Sequence, residues 1–544
     1  MLDFKATGPM KTVREVTLDL LRSFGISKVF GNPGSTELTF LHDWPDDIAY
    51  VLALQEASAI GMADGYAQAT GNAGFVNLHS AAGLGHALGN LFTSFRNKTP
   101  LVITAGQQSR SILPYQPYLY AEQATQFPRP YVKWSVEPAR AEDVPTCIAQ
   151  AYYIAMQHPR GPTFVSIPSD DWTKKTPALR ARDVYSELSA DPAAIQKLAE
   201  AIGKADNVAF VAGPTIDRSG AVDLMVELAE KCNAPVWASP MSSRASFPER
   251  HRLFAGFLQA APEPLSKKLE PYDLIVVFGA PVFTFHIEGR CDVLHSGVPL
   301  WQITDDPTEA AIAAVGTSVL STLPSAIRVL LGEVAPKSLS ERNPIVREAV
   351  AMPAADGEPM NAEFLLSRLS AALPEGAIVV EEAPSHRPAI QRHLPMSGAD
   401  SFYTMASGGL GYSLPASVGV ALAREGRRIV CLIGDGSTMY SVQAIWTAVQ
   451  HKLPVTIIVL NNSGYGAMRT FSRILGAERP PGIDLPGIDF VKMAEAFGCA
   501  ASRIHRAADV DAGLRDALTG TGPRLLEVIV DPAISEIYSV PNSH

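Results

Sequence analysis

The stretch Arg428–Tyr440, "RIVCLIGDGSTMY", decides the fold. It opens on a short, continuous run of β-branched and aliphatic residues, the pattern of a strand buried on both faces. A glycine turn follows, and then "SVQAIWTAVQ" takes helical spacing. Strand, tight turn and helix make the repeating unit of a parallel α/β sheet. The turn itself is informative. Gly434 and Gly436 allow the backbone close to an anion, and Ser437 can cap a helix whose N-terminal amides favour phosphate. Asp435 would repel a bare phosphate, so the turn implies a cation.

The same grammar recurs along the chain in three sets. The first contains "KVFGNPG", "YVLALQE", "FVNLHSAAG", "LVITAGQQ" and "TFVSIPSD"; the second "NVAFVAGP", "APVWASP", "LIVVFGAP" and "LWQITDD"; the third "AIVVEEAP", "RIVCLIGDG", "VTIIVLNN" and "LLEVIVD". Each predicts a parallel sheet covered by helices, with ligands at the carboxyl ends of the strands. The apolar rhythm lapses around 170–192 and around 334–360. The expected organisation is therefore α/β, three doubly wound parallel-sheet domains at 1–180, 190–335 and 358–535.

Composition narrows the function. The chain has 544 residues, 47% hydrophobic and only 18% charged, which suits large cores and an oligomeric enzyme. A net charge of −10 without a basic cluster argues against nucleic acid. The five cysteines are scattered and form no CxxC pair, as expected of a reducing cytoplasm. The first residues do not read as a signal peptide, and no run of 18 apolar residues is present, so no membrane span is expected.

Two further stretches join the GDGS turn. In "VTIIVLNNSGYG", Asn461 and Asn462 close a strand, and Asn462 lies 27 residues after Asp435. Asp435 and Asn462 offer side-chain oxygens and Gly464 a carbonyl. With two diphosphate oxygens and a water they complete an all-oxygen octahedral set suited to Mg²⁺, with Ca²⁺ as an alternative. In "YVLALQEASAIGMADGYAQATG", residues 50–71, Glu56 shares a helix face with Ala59, Ile60, Ala63 and Ala67. A carboxylate on such a face needs a partner; a helix N-terminus is the plain one.

GDGS followed by NN, each after an apolar strand, resembles the thiamine-diphosphate enzymes. The likeness spans nearly the whole chain through "VFGNPGSTEL", "LALQEASAIGMADGYAQA", "NLHSAAGLGHALG", "TAGQQSR", "PRPYVKWS", "FGAPVFTFH", "GGLGYSLPA" and "DLPGIDF". It is greatest to the 2-keto-acid decarboxylases, and among them to the benzoylformate decarboxylase branch. The resemblance implies a pyrimidine-binding, a central and a diphosphate-binding domain. It implies that Glu56 bonds the aminopyrimidine of thiamine diphosphate and promotes its ylid. It further implies that Asn32, Pro33, Ser385, Gly408, Leu410, Gly434, Gly436, Ser437, Tyr440, Asn462, Tyr465 and Gly466 hold the cofactor. Ser35 would orient the substrate carboxylate, His79 would protonate its carbonyl, and His286 would protonate the carbon that CO₂ leaves. Taken singly, these have plainer readings: a helix cap, a core histidine and an exposed loop residue. His86 gains no role.

The implied activity is non-oxidative decarboxylation of an aromatic 2-keto acid, benzoylformate or a ring-substituted analogue, by a homo-oligomer, a dimer of dimers, in which the cofactor bridges the first domain of one subunit and the third domain of another. The implied substrate pocket contains Tyr118, Leu119, Pro384, Thr404, Ala467, Met468 and Phe471. Several of these depart from the benzoylformate enzymes: tyrosine at 118 and 120 where they are aliphatic, threonine at 404 for an aromatic, proline at 384 for a small hydroxyl residue. The departures suggest a ring-hydroxylated or methoxylated substrate. Two alternatives stay open: a carboligase or lyase that makes or cleaves acyloins, and a non-catalytic cofactor-binding relative.

Overall fold

Three six-stranded sheets, parallel throughout, carry the chain. The computed structural model describes residues 9–289, 297–337, 353, 355 and 358–533. Most of the expected second linker lies outside them, as does Cys291; Cys147, Cys232, Cys431 and Cys499 are free thiols. Among the described residues no helix is long and apolar enough to cross a membrane.

The first sheet runs, edge to edge, Ala49–Leu52, Lys28–Gly31, Gly74–Leu78, Leu101–Gln107, Pro162–Pro168, Trp134–Val136. The third runs Phe402–Thr404, Ile378–Glu382, Ile429–Gly434, Val455–Asn461, Arg524–Ile529, Ala500–Ile504. Counted in chain order, both read 2-1-3-4-6-5. The central sheet runs Phe254–Phe257, Val236–Ala238, Val208–Ala212, Leu274–Phe278, Leu300–Thr304, Thr317–Leu320, or 3-2-1-4-5-6. The central strands of each sheet are buried from end to end, as continuous apolar runs require.

In an open parallel sheet, a crevice forms where the strand order reverses. In the first sheet that point lies between Lys28–Gly31 and Gly74–Leu78, so Asn32–Glu37 and His79 flank it. In the third sheet it lies between Ile378–Glu382 and Ile429–Gly434, so Pro384–Ser385 and Asp435–Ser437 flank it. Topology alone therefore gathers these residues at two crevices, one on each sheet.

Two helices hold these sheets together. Glu56–Thr70 and Ser413–Ala423 are apolar on nearly every side because each lies inside the molecule. They meet through glycines: a Cβ at Gly65 would stand 2.2 Å from the Ala416 carbonyl oxygen, and one at Gly419 1.9 Å from that of Met62. Buried Asp64 sits at the seam and accepts from Gln68, Tyr412 and Asn97. The central sheet attaches through Arg244. Its guanidinium donates to Asp217 at 2.6 Å, with both side chains buried, and lies 3.5 Å over the Tyr403 ring of the third sheet.

Candidate active site

The first half of the site surrounds His79, which ends the strand Gly74–Leu78 and precedes the helix Ser80–Arg96. Its Nδ1 lies 2.8 Å from Oε2 of Glu37 and 3.1 Å from the Thr36 hydroxyl. Gly34 packs against the ring so closely that a Cβ there would fall 2.1 Å from Cγ. Ser35 faces outward between them, and no side-chain cap holds the short helix that follows, so capping does not explain this serine. Below the segment 108–131, beside this group, opens a cavity of about 290 Å³ lined by Ser80, Leu84, Gly106, Tyr120 and Phe127.

Glu56 begins the helix Glu56–Thr70, whose first turn is capped by the Gln55 side chain accepting from the Ser58 N–H. Its carboxylate is mostly buried. It lies 3.5 Å from the Asn32 amide and 3.2 Å from Nδ1 of His86, and Gly83 leaves it room. His86, which gained no role from the sequence, is thus the nearest titratable group to this glutamate. The start of the helix is also tied to the third domain. The Asn90 amide donates to the carbonyls of both Ala57 and Gly411, bringing the Gly408–Gly411 loop beside Glu56.

The second half lies at the ends of Ile378–Glu382, Ile429–Gly434 and Val455–Asn461. Asp435 is buried, and its two oxygens accept from the Gly436 and Gly464 N–H groups, each at 2.8 Å. Burial pushes the Asp435 carboxyl up despite these donors. Gly466 is pinched between Ser385 and Asn462: a Cβ would lie 2.7 Å from Ser385 Oγ and 2.8 Å from Asn462 Nδ2. Ser385 Oγ accepts the Ala467 N–H at 2.9 Å. Gly436 admits the Tyr465 ring at a distance that would be 2.4 Å from a Cβ. So Ser385, Asp435, Gly436, Asn462, Gly464, Tyr465, Gly466 and Ala467 form one cluster. Ser437 is not a cap; it lies inside the one-turn helix Asp435–Thr438, with Gly434 at the cap position.

The remaining expected residues divide. Gly408 adopts φ +75°, which only glycine takes without strain, and Leu410 packs half-buried against the core shared by the first and third sheets. Pro384 opens the short turn before Arg387–His393. His286 is exposed on a central-domain loop, with its ring edge-on to Phe471 at 4.9 Å. Met468, Tyr440 and Tyr118 are exposed, and Leu119 beside Tyr118 is half-buried. Thr404 is committed to the scaffold: its buried hydroxyl donates to the Glu381 carbonyl and accepts from Arg387.

Two carboxylates the sequence left unremarked anchor these loops. Glu37 underlies His79. Glu382 is fully buried and accepts the N–H groups of Gly411, Tyr412 and Ser413, at 2.6, 2.8 and 2.7 Å. Both follow an ordinary strand or turn, and only the folded chain reveals what they face.

Family models for thiamine pyrophosphate enzymes match in three parts: the N-terminal cofactor-binding domain at 11–126, the central domain at 195–328 and the C-terminal cofactor-binding domain at 383–528. The chain belongs to the thiamine-diphosphate enzymes. Within that family it is 41% identical to a benzoylformate decarboxylase of Pseudomonas aeruginosa, over 95% of this chain and 99% of the relative. The crystal structure of benzoylformate decarboxylase from Polynucleobacter necessarius superposes with a TM-score of 0.95 at 40% identity, covering 96% of this chain and 99% of that one. A thiamine diphosphate-dependent 4-hydroxybenzoylformate decarboxylase from Rhodococcus jostii RHA1 gives 0.93 at 43% identity, with 96% and 100% covered. This thiamine-diphosphate enzyme is thus a homologue of carboxy-lyases along its whole length.

Proposed function

We propose that the chain decarboxylates benzoylformate or a ring-substituted benzoylformate to the aldehyde and CO₂. The observation that carries this is full-length likeness, above 40% identity, to enzymes named for benzoylformate and 4-hydroxybenzoylformate. It is supported by a histidine, a serine and a cofactor glutamate gathered at the switch point of the first sheet.

The cluster at the third sheet fits a diphosphate with a divalent cation. Gly436 and Gly466 leave no room for side chains, which lets backbone approach a ligand, and among the described residues no lysine or arginine forms an ion pair with the buried Asp435 carboxylate. Asp435, Asn462 and the Gly464 carbonyl would hold Mg²⁺. Glu56 would hold the aminopyrimidine. When bound, thiamine diphosphate supplies a carbanionic carbon and an electron sink for the pair left as CO₂ departs. The chain does the rest. Ser35 orients the substrate carboxylate, His79 delivers a proton to the ketone oxygen, and His286, steadied by Phe471, supplies the proton that replaces CO₂. The apolar walls keep water from the reacting carbon.

Leu54, Phe127, Met439, Tyr440, Met468 and Leu475 are exposed on or next to the segments that carry the site residues, which supports a homo-oligomer, a dimer of dimers, that covers them. A ring hydroxyl would be met by Tyr118 or Tyr120, since the Thr404 hydroxyl is already spent. The test is aldehyde and CO₂ release from pyruvate, a branched aliphatic acid, phenylpyruvate, benzoylformate and its 4-hydroxy and 3-methoxy derivatives, with thiamine diphosphate and Mg²⁺. Fast release from the aryl members is expected. Acyloin formation without CO₂ from any member would overturn the reading.

A further inference from the structure

Glu37 is a buried carboxylate whose side chain is 1% exposed, and among the described residues no lysine or arginine pairs with it. It is nonetheless saturated. Oε1 receives the Thr36 hydroxyl at 2.6 Å and the Gly106 N–H at 3.0 Å. Oε2 receives the Gly34 N–H at 3.0 Å and faces His79 Nδ1 at 2.8 Å. Two backbone amides that cannot reverse point at this group, and the Thr36 hydroxyl, 2.6 Å from Oε1 and 3.1 Å from His79 Nδ1, gives its proton to the nearer carboxylate oxygen. A carboxyl so surrounded acts as an ionised acceptor. The fourth contact must then also be a donor, so the proton of neutral His79 sits on Nδ1. Nε2 is left bare, free to exchange a proton with a reacting oxygen. Gly34 closes the slot from the other side, fixing the ring plane as well as the tautomer.

We propose that Glu37 is the positioning residue of the proton-transfer step: it sets the tautomer and orientation of His79. This rests on His79 being the proton carrier. The physical reason is general, since the hydrogen bond made by one imidazole nitrogen decides the state of the other. Glu37 itself touches no reacting atom.

The experiment uses holoenzyme with ¹⁵N-labelled histidine. Long-range ¹H–¹⁵N spectra report which ring nitrogen is protonated, with the His79 signals assigned by their loss in His79→Gln. In the parent, neutral His79 is expected to carry its proton on Nδ1. In Glu37→Gln only one acceptor oxygen faces the same donors, so the amide NH₂ turns towards the ring and the proton moves to Nε2. Turnover then falls about 10- to 100-fold with cofactor affinity kept. A parent His79 protonated on Nε2 would overturn the proposal, and so would Glu37→Gln with an unchanged tautomer and turnover within about threefold of the parent. If Glu37→Gln does not fold, the parent spectrum decides. His79→Ala separates the two claims: full activity there removes the role of His79, whereas an inactive His79→Ala beside a fully active Glu37→Gln removes only that of Glu37.

Discussion

Gly34→Ala tests the slot around His79 without removing any polar group. The glycine lies outside the left-handed region, so alanine meets no backbone strain, and the effect is steric. The new Cβ would stand 2.1 Å from Cγ and 2.2 Å from Nδ1 of His79. Non-bonded carbons need about 3.5 Å, so ring and backbone must separate by more than ~1 Å. The ring is the part that yields, because its side chain is 22% exposed on the open side of the slot. It thereby leaves the 2.8 Å contact with Glu37. Overpacking of this kind costs about 1–3 kcal/mol of stability. Misplacing a catalytic group by about 1 Å costs about 100-fold in rate. The assay is kcat/KM for the best aryl 2-keto acid, with thermal unfolding and cofactor binding measured on the same sample. Gly203→Ala is the control: among the described residues, its own helix backbone aside, nothing lies within 4 Å of its new methyl, so it should stabilise by roughly 0.5–1 kcal/mol and leave turnover alone. A folded, cofactor-binding Gly34→Ala with kcat/KM within about threefold of the parent, roughly 0.6 kcal/mol of barrier, would refute the reasoning.

Other perturbations reach different parts of the molecule. Arg244→Ala strands buried Asp217 and empties the face of Tyr403, so a loss of about 3–5 kcal/mol is expected in denaturant unfolding; Arg244→Lys should not restore it, because an ammonium cannot both stack and bridge. His386 is buried, neither ring nitrogen finds a partner among the described residues, and burial lowers its pKa to about 4. Its unfolded form binds a proton near pH 6.5 and its folded form does not, so stability falls as pH drops from about 6.5 towards 4. His386→Leu should flatten that acid limb by up to roughly 3 kcal/mol; an unchanged limb would mean another group causes it. Thiamine diphosphate with Mg²⁺ at about 100 times its dissociation constant should add roughly 2.7 kcal/mol to stability. Chelator should abolish that gain, as should Asp435→Asn; a gain that survives both would remove Asp435 from the metal site.

What the sequence made legible was whatever is local in the chain. Continuous apolar runs ending in Gly, Asn or Asp gave away the three parallel sheets, because a strand buried on both faces has no polar side to show. Glu56, Asp435 and Asn462 could be singled out for the same reason: each follows such a run directly. What stayed hidden depends on distant segments meeting. Glu37 and His79 are 42 residues apart, and nothing in "NPGSTEL" announces which side chain the glutamate will face. Glu382 reads as the end of a strand until the amides of Gly411–Ser413 arrive over it. Thr404 entered the expected pocket through the resemblance alone; the folded chain spends its hydroxyl on the Glu381 carbonyl and Arg387. Ser437 looked like a cap because the turn was expected to lead straight into a long helix, whereas the chain first makes the single turn Asp435–Thr438.

The glycine seam between Glu56–Thr70 and Ser413–Ala423 also governs how this enzyme can move. Backbone rests on backbone at Gly65 and Gly419, and the side chains that enter the seam, Asp64, Gln68 and Tyr412, are tied to one another by hydrogen bonds. A hinge across such a joint would have to lift two close-packed surfaces apart before turning either. The first and third sheets of one chain therefore travel as one rigid block, like two plates riveted edge to edge. Movement falls to the thinner parts outside the seam: the turn carrying Tyr118, the central-domain loop carrying His286, and the helix carrying Met468 and Phe471. Those parts are free to move, while the start of the Glu56–Thr70 helix and the Gly408–Gly411 loop, joined through Asn90, keep a fixed spacing.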